Sequence, residues 1–404
     1  MRTLSNRRPS PGRGRAPLPG DAAARPRRKR GGIGVRIVQL STMRDYYGGE
    51  VCLANLARGL AARGHEVACV VRPDSRLATV LREAGVRTRE LPLVDWYEPV
   101  STGALAAWLR QERVDVVHAH NPRDWFIAAA ATVGGPARNV GTRHLLRPVA
   151  HAFLKRSFLR RLGALIAVSD AVRREVTDAR LVAPERVVTV PNGVALPAEG
   201  EAAREAARLR AALGVAPGQL LVGCVARLTP EKGIEDLLRA VALLRGRWPD
   251  LAVAVLGDGP PGSRHPAELR RLALQLGLGG VVRFPGYLPG AGRCCGAFDV
   301  QVVCSRAEPC GLATLEAMAQ GRPVVATASG GSPELVRDGR EGFLVPPGDP
   351  GRLASRLDCL LDSPGLRREM GRRGRRRVEA RFGLAGMVER TESVYRQVLE
   401  AVAS

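Results

Sequence analysis

The chain has 404 residues, 45% apolar and 25% charged, and its 62 Lys/Arg against 39 Asp/Glu give a formal net charge of +23. That length exceeds what one hydrophobic core serves and points to two domains. The sequence contains no run of about eighteen apolar residues to span a membrane, and its eight cysteines contain no CxxC pair, so free thiols are expected rather than a metal or disulfide framework. The charge calls for anionic partners. An aromatic content of 4% and the lack of RNP, KH, zinc-finger or basic-zipper patterns argue against a nucleic-acid-binding protein.

Residues 1–32 carry ten Lys/Arg against Asp21 and few large apolar side chains, which predicts a disordered basic tail. The tail lacks the apolar segment of a secretory leader, so a cytoplasmic location is expected. Val35 to Leu40 (VRIVQL) is the first strand-like run. Tyr47-Gly48-Gly49-Glu50 follows, then a helical pattern closed by Gly64, then a strand from Val67 to Val71. This is a βαβ unit of nucleotide-binding type. It lacks a full GxGxxG, which weighs against the competing NAD(P) oxidoreductase reading. Further strands are expected at Val114 to His118, Arg138 to Thr142, Ala164 to Val168 and Val187 to Val190.

Residues 143–161 (RHLLRPVAHAFLKRSFLRR) alternate basic and apolar side chains, with a helix starting at Pro148. Such a segment suits docking on an anionic membrane surface, or equally a core-facing helix with a solvated basic face. Pro191-Asn192-Gly193 is a turn signal, Ala195 to Ala202 reads as a linker, and a helix from Glu205 to Leu213 opens a second half. There the strands are expected at Leu220 to Ala226, Leu251 to Leu256, Val281 to Phe284, Val300 to Cys304, Pro323 to Thr327 and Gly342 to Val345. Arg-rich helices follow, broken near Phe382-Gly383. The expected fold class is α/β, with two doubly wound Rossmann-like domains at 33–195 and 196–380 and a final segment 381–404.

The chemistry concentrates around residues 305–339. Gly311 opens a helix that Gly321 ends, with Glu308 on the loop before it and Glu316 within it. Loops at the carboxyl ends of strands form the ligand crevice of an open α/β sheet. Glu308 is therefore expected to face the crevice beside the positive end of the helix. An anionic ligand with hydroxyl groups suits this arrangement, and a nucleotide sugar is such a ligand. Arg227 and Lys232 lie on a loop closed by Gly233, where Arg can fork two phosphate oxygens and Lys can act as a point charge. His118 and His120 fall on one face of an extended chain, with His120 nearer the crevice, and His144 follows the next strand. Asp95, Asp115 and Asp299 stand alone, and no DxD pattern suggests a metal.

Residues 226–233 (ARLTPEKG) resemble the phosphate-gripping segment of retaining glycosyltransferases of family 4. Gly257-Asp258-Gly259-Pro260, Glu308 to Glu316 (EPCGLATLE), Gly321 to Ala326, Gly330 to Glu334 and Gly342 to Asp349 continue the resemblance in order. In the first half, Gly48-Gly49-Glu50, Asp115 to His120 and Pro191-Asn192-Gly193 resemble it too. The resemblance implies a GT-B fold whose last helix returns to the first domain, retention of anomeric configuration, metal independence, and no cofactor beyond the donor. It further implies roles: Arg227 and Lys232 on the diphosphate, Glu316 on the ribose, and Glu308 and His120 at the reacting sugar. The loop at Gly48 and Gly49 would border the acceptor and the donor phosphates. Apart from the resemblance, backbone N–H groups near Cys310, Gly311 and Leu312 are placed to hold the sugar or phosphate, and His144, pointing toward the cleft from its strand end, is open equally to an acceptor-side role and to a packing role. A UDP- or GDP-linked donor and a bacterial cell-surface glycan or lipid-linked acceptor are the expected substrates. A GT-B-like epimerase is the alternative of related fold.

Overall fold

A computed structural model describes residues 34–94, 98–147 and 159–401. The first domain holds seven parallel strands: β1 (Arg36–Ser41), β2 (Glu66–Val71), β3 (Arg87–Glu90), β4 (Val116–Ala119), β5 (Arg138–Arg143), β6 (Leu162–Ala167) and β7 (Val187–Thr189). Their order across the sheet is β3-β2-β1-β4-β5-β6-β7. The second domain holds β8 (Leu221–Val225), β9 (Ala252–Leu256), β10 (Val282–Gly286), β11 (Val300–Val303), β12 (Val324–Thr327) and β13 (Gly342–Val345), in the order β10-β9-β8-β11-β12-β13. Helices cover both faces of each sheet, so central strands are apolar on both sides and legible as continuous apolar runs. Both orders reverse direction beside the first strand of the domain, which opens a crevice at the carboxyl ends of β1 and β4 and of β8 and β11.

The structure departs from the expectations in two places. Strand β3, with the sequence RTRE, had no apolar signal because it is an edge strand paired only with β2 and half exposed. The helix expected from Glu205 already begins at Glu199 and runs to Ala212, taking up half of the expected linker. Of the basic segment 143–161 only the two ends are described, and residues of both are built into the first domain. Arg143 is 3% exposed at the end of β5, 3.5 Å from Glu175, and Leu159 is buried in the first domain's core. Residues 148–158 of that segment, Asp95 and the N-terminal tail lie outside the described residues.

Asp115 and Asp299 are structural. Each carboxylate accepts the backbone N–H that opens a neighbouring strand, at Arg36 and Leu221 respectively, at 2.8 Å.

The Arg-rich helix Pro364–Arg381 ends at Phe382, and Gly383 caps the last helix, Leu384–Glu400. Val194 holds this crossing by donating to Phe382 O and accepting from Leu384 N, both at 3.0 Å. The last helix then lies on the first sheet, where Met387, Val388, Val394, Tyr395 and Val398 share one apolar cluster with Val35, Ile37, Leu56, Val116, Val140 and Ile166. A Cβ at Gly59 or Gly163 would come within 2.4 Å of Val388 or Val398, so two bare backbones let the helix seat. Part of the first domain's core is thus supplied by the end of the chain.

Candidate active site

The Glu308 loop is held from both sides by glycine turns. After β8, residues Pro230–Lys232 form a single 3-10 turn that Gly233 ends at φ 61°. A Cβ there would stand 2.2 Å from Cys304 O, so only glycine lets this turn lie against the exit of β11. On the other side Gly330, at φ 53°, passes so close that a Cβ would stand 2.1 Å from Glu308 O. The next N–H, at Gly331, donates to that same oxygen at 2.8 Å.

Thus clamped, Lys232 Nζ lies 2.8 Å from Glu308 Oε2. Glu308 also accepts from Ser305 Oγ at 2.7 Å and from Gly311 N at 3.0 Å, and is 7% exposed. Burial pushes its carboxyl upward, but the Lys232 ammonium with these donors outweighs burial and holds it below the usual carboxylate range.

The helix Leu312–Ala319 starts from Gly311 at φ 78°. Gly311's own N–H is taken by Glu308, so the donors left for a ligand are the first-turn N–H groups from Leu312 onward. Cys310 offers only its backbone. Its side chain is buried in the first domain's core, and burial pushes the thiol up to about 12. Glu316 sits one turn into this helix, half-buried against Gly292, where a Cβ would come 2.1 Å from its Oε1. Among the described residues its carboxylate has neither a hydrogen bond nor an ion pair. Burial pushes it up to about 7.

Across the cleft stands the first domain's helix Gly48–Ala62. Gly48 and Gly49 already belong to it, and the preceding loop is Thr42 to Tyr47. Tyr47 caps it, donating its N–H to Glu50 Oε2 at 3.2 Å. A Cβ on Gly48 would touch Leu312 at 3.6 Å, so the starts of the two helices face each other. Arg227 lies over the Tyr47 ring, 5.0 Å from its centroid, with Glu231 3.5 Å from its guanidinium. Two cations and two helix N-termini therefore converge on one spot, a setting for a diphosphate. The domains also touch directly here. Glu334 accepts from the N–H groups of Asp170 and Ala171 at 2.9 Å each, and Arg147 pairs with Glu231 at 2.9 Å.

His118, His120 and His144 form a contiguous buried group in the first domain, next to Gly49. His144 packs against Gly49, 3.6 Å from a Cβ built there, and its ring stacks on His120 at 5.6 Å. His120 is 5% exposed and meets none of Arg227, Lys232 or Glu308 directly. A buried network fixes its tautomer. Gln39 Nε2 donates to Tyr395 Oη at 3.1 Å, so Gln39 Oε1 accepts the proton of His120 Nε2 at 2.6 Å. His120 Nδ1 is then the acceptor, 3.3 Å from His144 Nε2. Tyr395 in turn donates to His118 Nδ1 at 2.6 Å, and His118 Nε2 donates to Thr142 Oγ1 at 2.6 Å. Burial keeps all three imidazoles neutral, with His118 pushed down to about 3, His144 to about 4 and His120 well below its usual value. His118 is thus spent on the network. A cavity of about 20 Å³ beside the rings, lined by Cys52, Thr142 and Asn192, has room for one water.

Gln39 and Tyr395 escaped sequence reasoning. A polar Gln in the middle of the apolar run VRIVQL was the one available signal. Among the described residues no group of three His, Cys, Asp or Glu side chains is placed to hold a metal, and no helix is long and apolar enough to cross a membrane.

Two facing Rossmann-like domains with a cationic cleft between them define the architecture of a GT-B glycosyltransferase. Residues 46–196 match the family described as Glycosyltransferase Family 4, and residues 205–377 match Glycosyl transferases group 1. D-inositol 3-phosphate glycosyltransferase of Acidothermus cellulolyticus is 34% identical over 393 residues, covering 88% of this chain and 86% of that protein. Anabaena HepE, solved in complex with UDP, superposes with a TM-score of 0.76 at 23% identity, over 89% of this chain and 99% of that one. WaaG, a glycosyltransferase involved in lipopolysaccharide biosynthesis, superposes with a TM-score of 0.66 at 18% identity, over 89% and 99%. The chain belongs to glycosyltransferase family 4.

Proposed function

We propose that the protein is a metal-independent, retaining hexosyltransferase that moves a sugar from a nucleotide-sugar donor to a hydroxyl of a cell-surface glycan or lipid-linked acceptor. The observation that carries this reading is the convergence of Arg227, Lys232 and two helix N-termini beside Glu308, with Glu316 left without a partner among the described residues. Arg227, Lys232 and the helix starts hold the diphosphate and neutralise the charge that grows on it as the glycosidic bond breaks, which is the main catalytic requirement. Glu316 accepts two hydrogen bonds from the ribose. Glu308 and His120 stand at the sugar end, and Gly49 and the backbone of Leu312 border the phosphates. In the transfer, the acceptor oxygen bonds to the anomeric carbon on the face from which the phosphate departs, and the departing phosphate oxygen takes the acceptor proton. His144 lies on the acceptor side. UDP is favoured over GDP as the donor nucleotide because HepE, of the same fold, was solved with UDP. The net charge of +23 supports work at the anionic inner face of a membrane.

The test is to incubate the protein with UDP-glucose, UDP-N-acetylglucosamine, UDP-galactose and GDP-mannose and to follow the anomeric protons by NMR. Consumption of one donor is expected, with the donor's anomeric configuration retained, unchanged by EDTA and lost in Lys232→Ala. Inversion, loss of turnover with EDTA, or turnover of NAD in place of every nucleotide sugar would overturn the proposal.

A further inference from the structure

The segment after β12 reaches across to the first domain's helix Asp170–Asp178. A helix opens with N–H groups that its own turns cannot satisfy. Here Val172 N donates to Ser169 Oγ at 3.1 Å, a cap from within the same domain. The N–H groups of Asp170 and Ala171 donate at 2.9 Å each to the two oxygens of one carboxylate, and that carboxylate belongs to Glu334 of the second domain. The second domain therefore completes a helix of the first, at the end where a negative charge is favoured.

Glu334 is tied to its own domain through its backbone. Arg377, on the helix Pro364–Arg381, donates to Glu334 O at 2.8 Å and to Leu335 O at 2.7 Å. Three residues before Glu334, Gly331 N donates to Glu308 O. A Cβ on Gly331 would stand 2.6 Å from Pro309 O and 3.0 Å from Ser169 Cβ, so its bare backbone lies between the Glu308 loop and the start of the first domain's helix. Beside it, the Cys310 side chain is buried in the first domain's core. A continuous path of contacts thus runs from Asp170 and Ala171 through Glu334 and Gly331 to Glu308. The carboxylate end of that path sits at the rim, with Asp170 exposed and Glu334 half-buried. Water can replace both hydrogen bonds when the domains part, so this contact can open and close, as polar contacts between domains of one chain do by default.

We propose that Glu334 is a positioning residue for the transfer: its carboxylate clasps the first domain's helix, and the bond from Gly331 N to Glu308 O carries that alignment to the reacting sugar. The inference rests on the glycosyl-transfer reading, which puts Glu308 at the sugar and the acceptor on the first domain. The new glycosidic bond forms only with the two domains aligned, and a misplacement of about 1 Å costs on the order of a hundredfold in rate. Donor affinity depends less on the clasp, because Arg227, Lys232 and Glu316 all lie on the second domain.

Two variants break the clasp from opposite sides. Glu334→Gln turns one acceptor oxygen into an NH2 group facing an N–H. Asp170→Pro removes one of the donors at the first position of a helix, where proline is accommodated, and after Ser169, whose extended backbone at φ −160° and ψ 164° suits a following proline. Asp170→Ala, which keeps the N–H, is the reference for it. Rates at saturating donor are read with whichever of UDP-glucose, UDP-N-acetylglucosamine, UDP-galactose and GDP-mannose the wild type consumes, and affinity by calorimetry with the matching UDP or GDP. Each clasp variant is expected to lower kcat about tenfold or more at near wild-type diphosphate affinity, which also shows it folded. Small-angle X-ray scattering should give a larger radius of gyration for the diphosphate-bound variants than for the wild type. Wild-type kcat in Glu334→Gln, a loss in Asp170→Pro no greater than in Asp170→Ala, an unchanged radius of gyration, or a fall in diphosphate affinity that matches the fall in kcat would each overturn the clasp. A wild type that consumes none of the four donors would instead strike the glycosyl-transfer reading, while scattering still tests the clasp.

Discussion

At the scale of single residues, two carboxylates eight positions apart have opposite environments. Glu308 is held below its ordinary pKa by Lys232, so the stability it contributes is present above pH 4.5 and is lost as pH falls through its lower folded value. Removing the ammonium leaves a buried charge unpaired. Lys232→Ala is therefore expected to cost about 2–4 kcal/mol at pH 7, and the cost should shrink as acid protonates Glu308. Denaturant titrations of both proteins at pH 7 and pH 4 read this out, and a difference that does not depend on pH would contradict the pairing. Glu316 has the reverse sign. Its folded pKa of about 7 lies above the unfolded 4.5, so its stability is present below pH 4.5 and is lost as pH rises through 7. Glu316→Gln should then stabilise the free protein at pH 8 by about 1 kcal/mol. In the wild type, affinity for UDP-glucose, whose phosphates do not titrate in this range, should rise between pH 6 and 8 as the carboxylate ionises. Gln at this position should weaken binding and flatten that rise. The residue types at 308 and 316 were legible in the sequence, but their protonation was not, because it depends on which groups the fold brings near.

At the scale of elements, apolar runs revealed twelve strands because strands covered on both faces carry no alternation. The edge strand β3 is built from RTRE and was invisible for the same physical reason. The helix start at Glu199 was hidden by Pro197 and Gly200, which imitate a linker. Gly233 could be read as closing a loop, yet its close approach to Cys304, a residue distant in sequence, could not. Gly233→Ala combines a left-handed φ of 61° with a Cβ only 2.2 Å from a backbone oxygen, so the turn must move. A loss of about 2 kcal/mol or more is expected, with Lys232 displaced from Glu308 and the UDP-induced thermal shift abolished. Retention of the wild-type UDP shift in this variant would show that the clamp does not position Lys232.

At the scale of the whole molecule, the end of the chain governs the beginning. Tyr395 lies in the last helix, yet its hydroxyl connects His118 to Gln39, and Gln39 fixes the proton on His120. Nothing local in the sequence joins positions 39 and 395, so this coupling appears only once the last helix seats on Gly59 and Gly163. Tyr395→Phe keeps the apolar packing but strands the Gln39 amide and the His118 ring nitrogen, both buried. Leaving such groups unsatisfied costs about 1–3 kcal/mol. Gln39 is then free to turn, and the proton on His120 can move to its other nitrogen. The expected outcome is a modest fall in melting temperature together with a fall in kcat of tenfold or more, at a donor KM close to the wild type. That split distinguishes positioning from mere packing, since a purely structural defect lowers the amount of folded enzyme without changing turnover per folded molecule. Unchanged kcat in Tyr395→Phe, with the NMR signals of His120 still showing the Nε2 proton, would separate the last helix from the chemistry and leave it a structural strut.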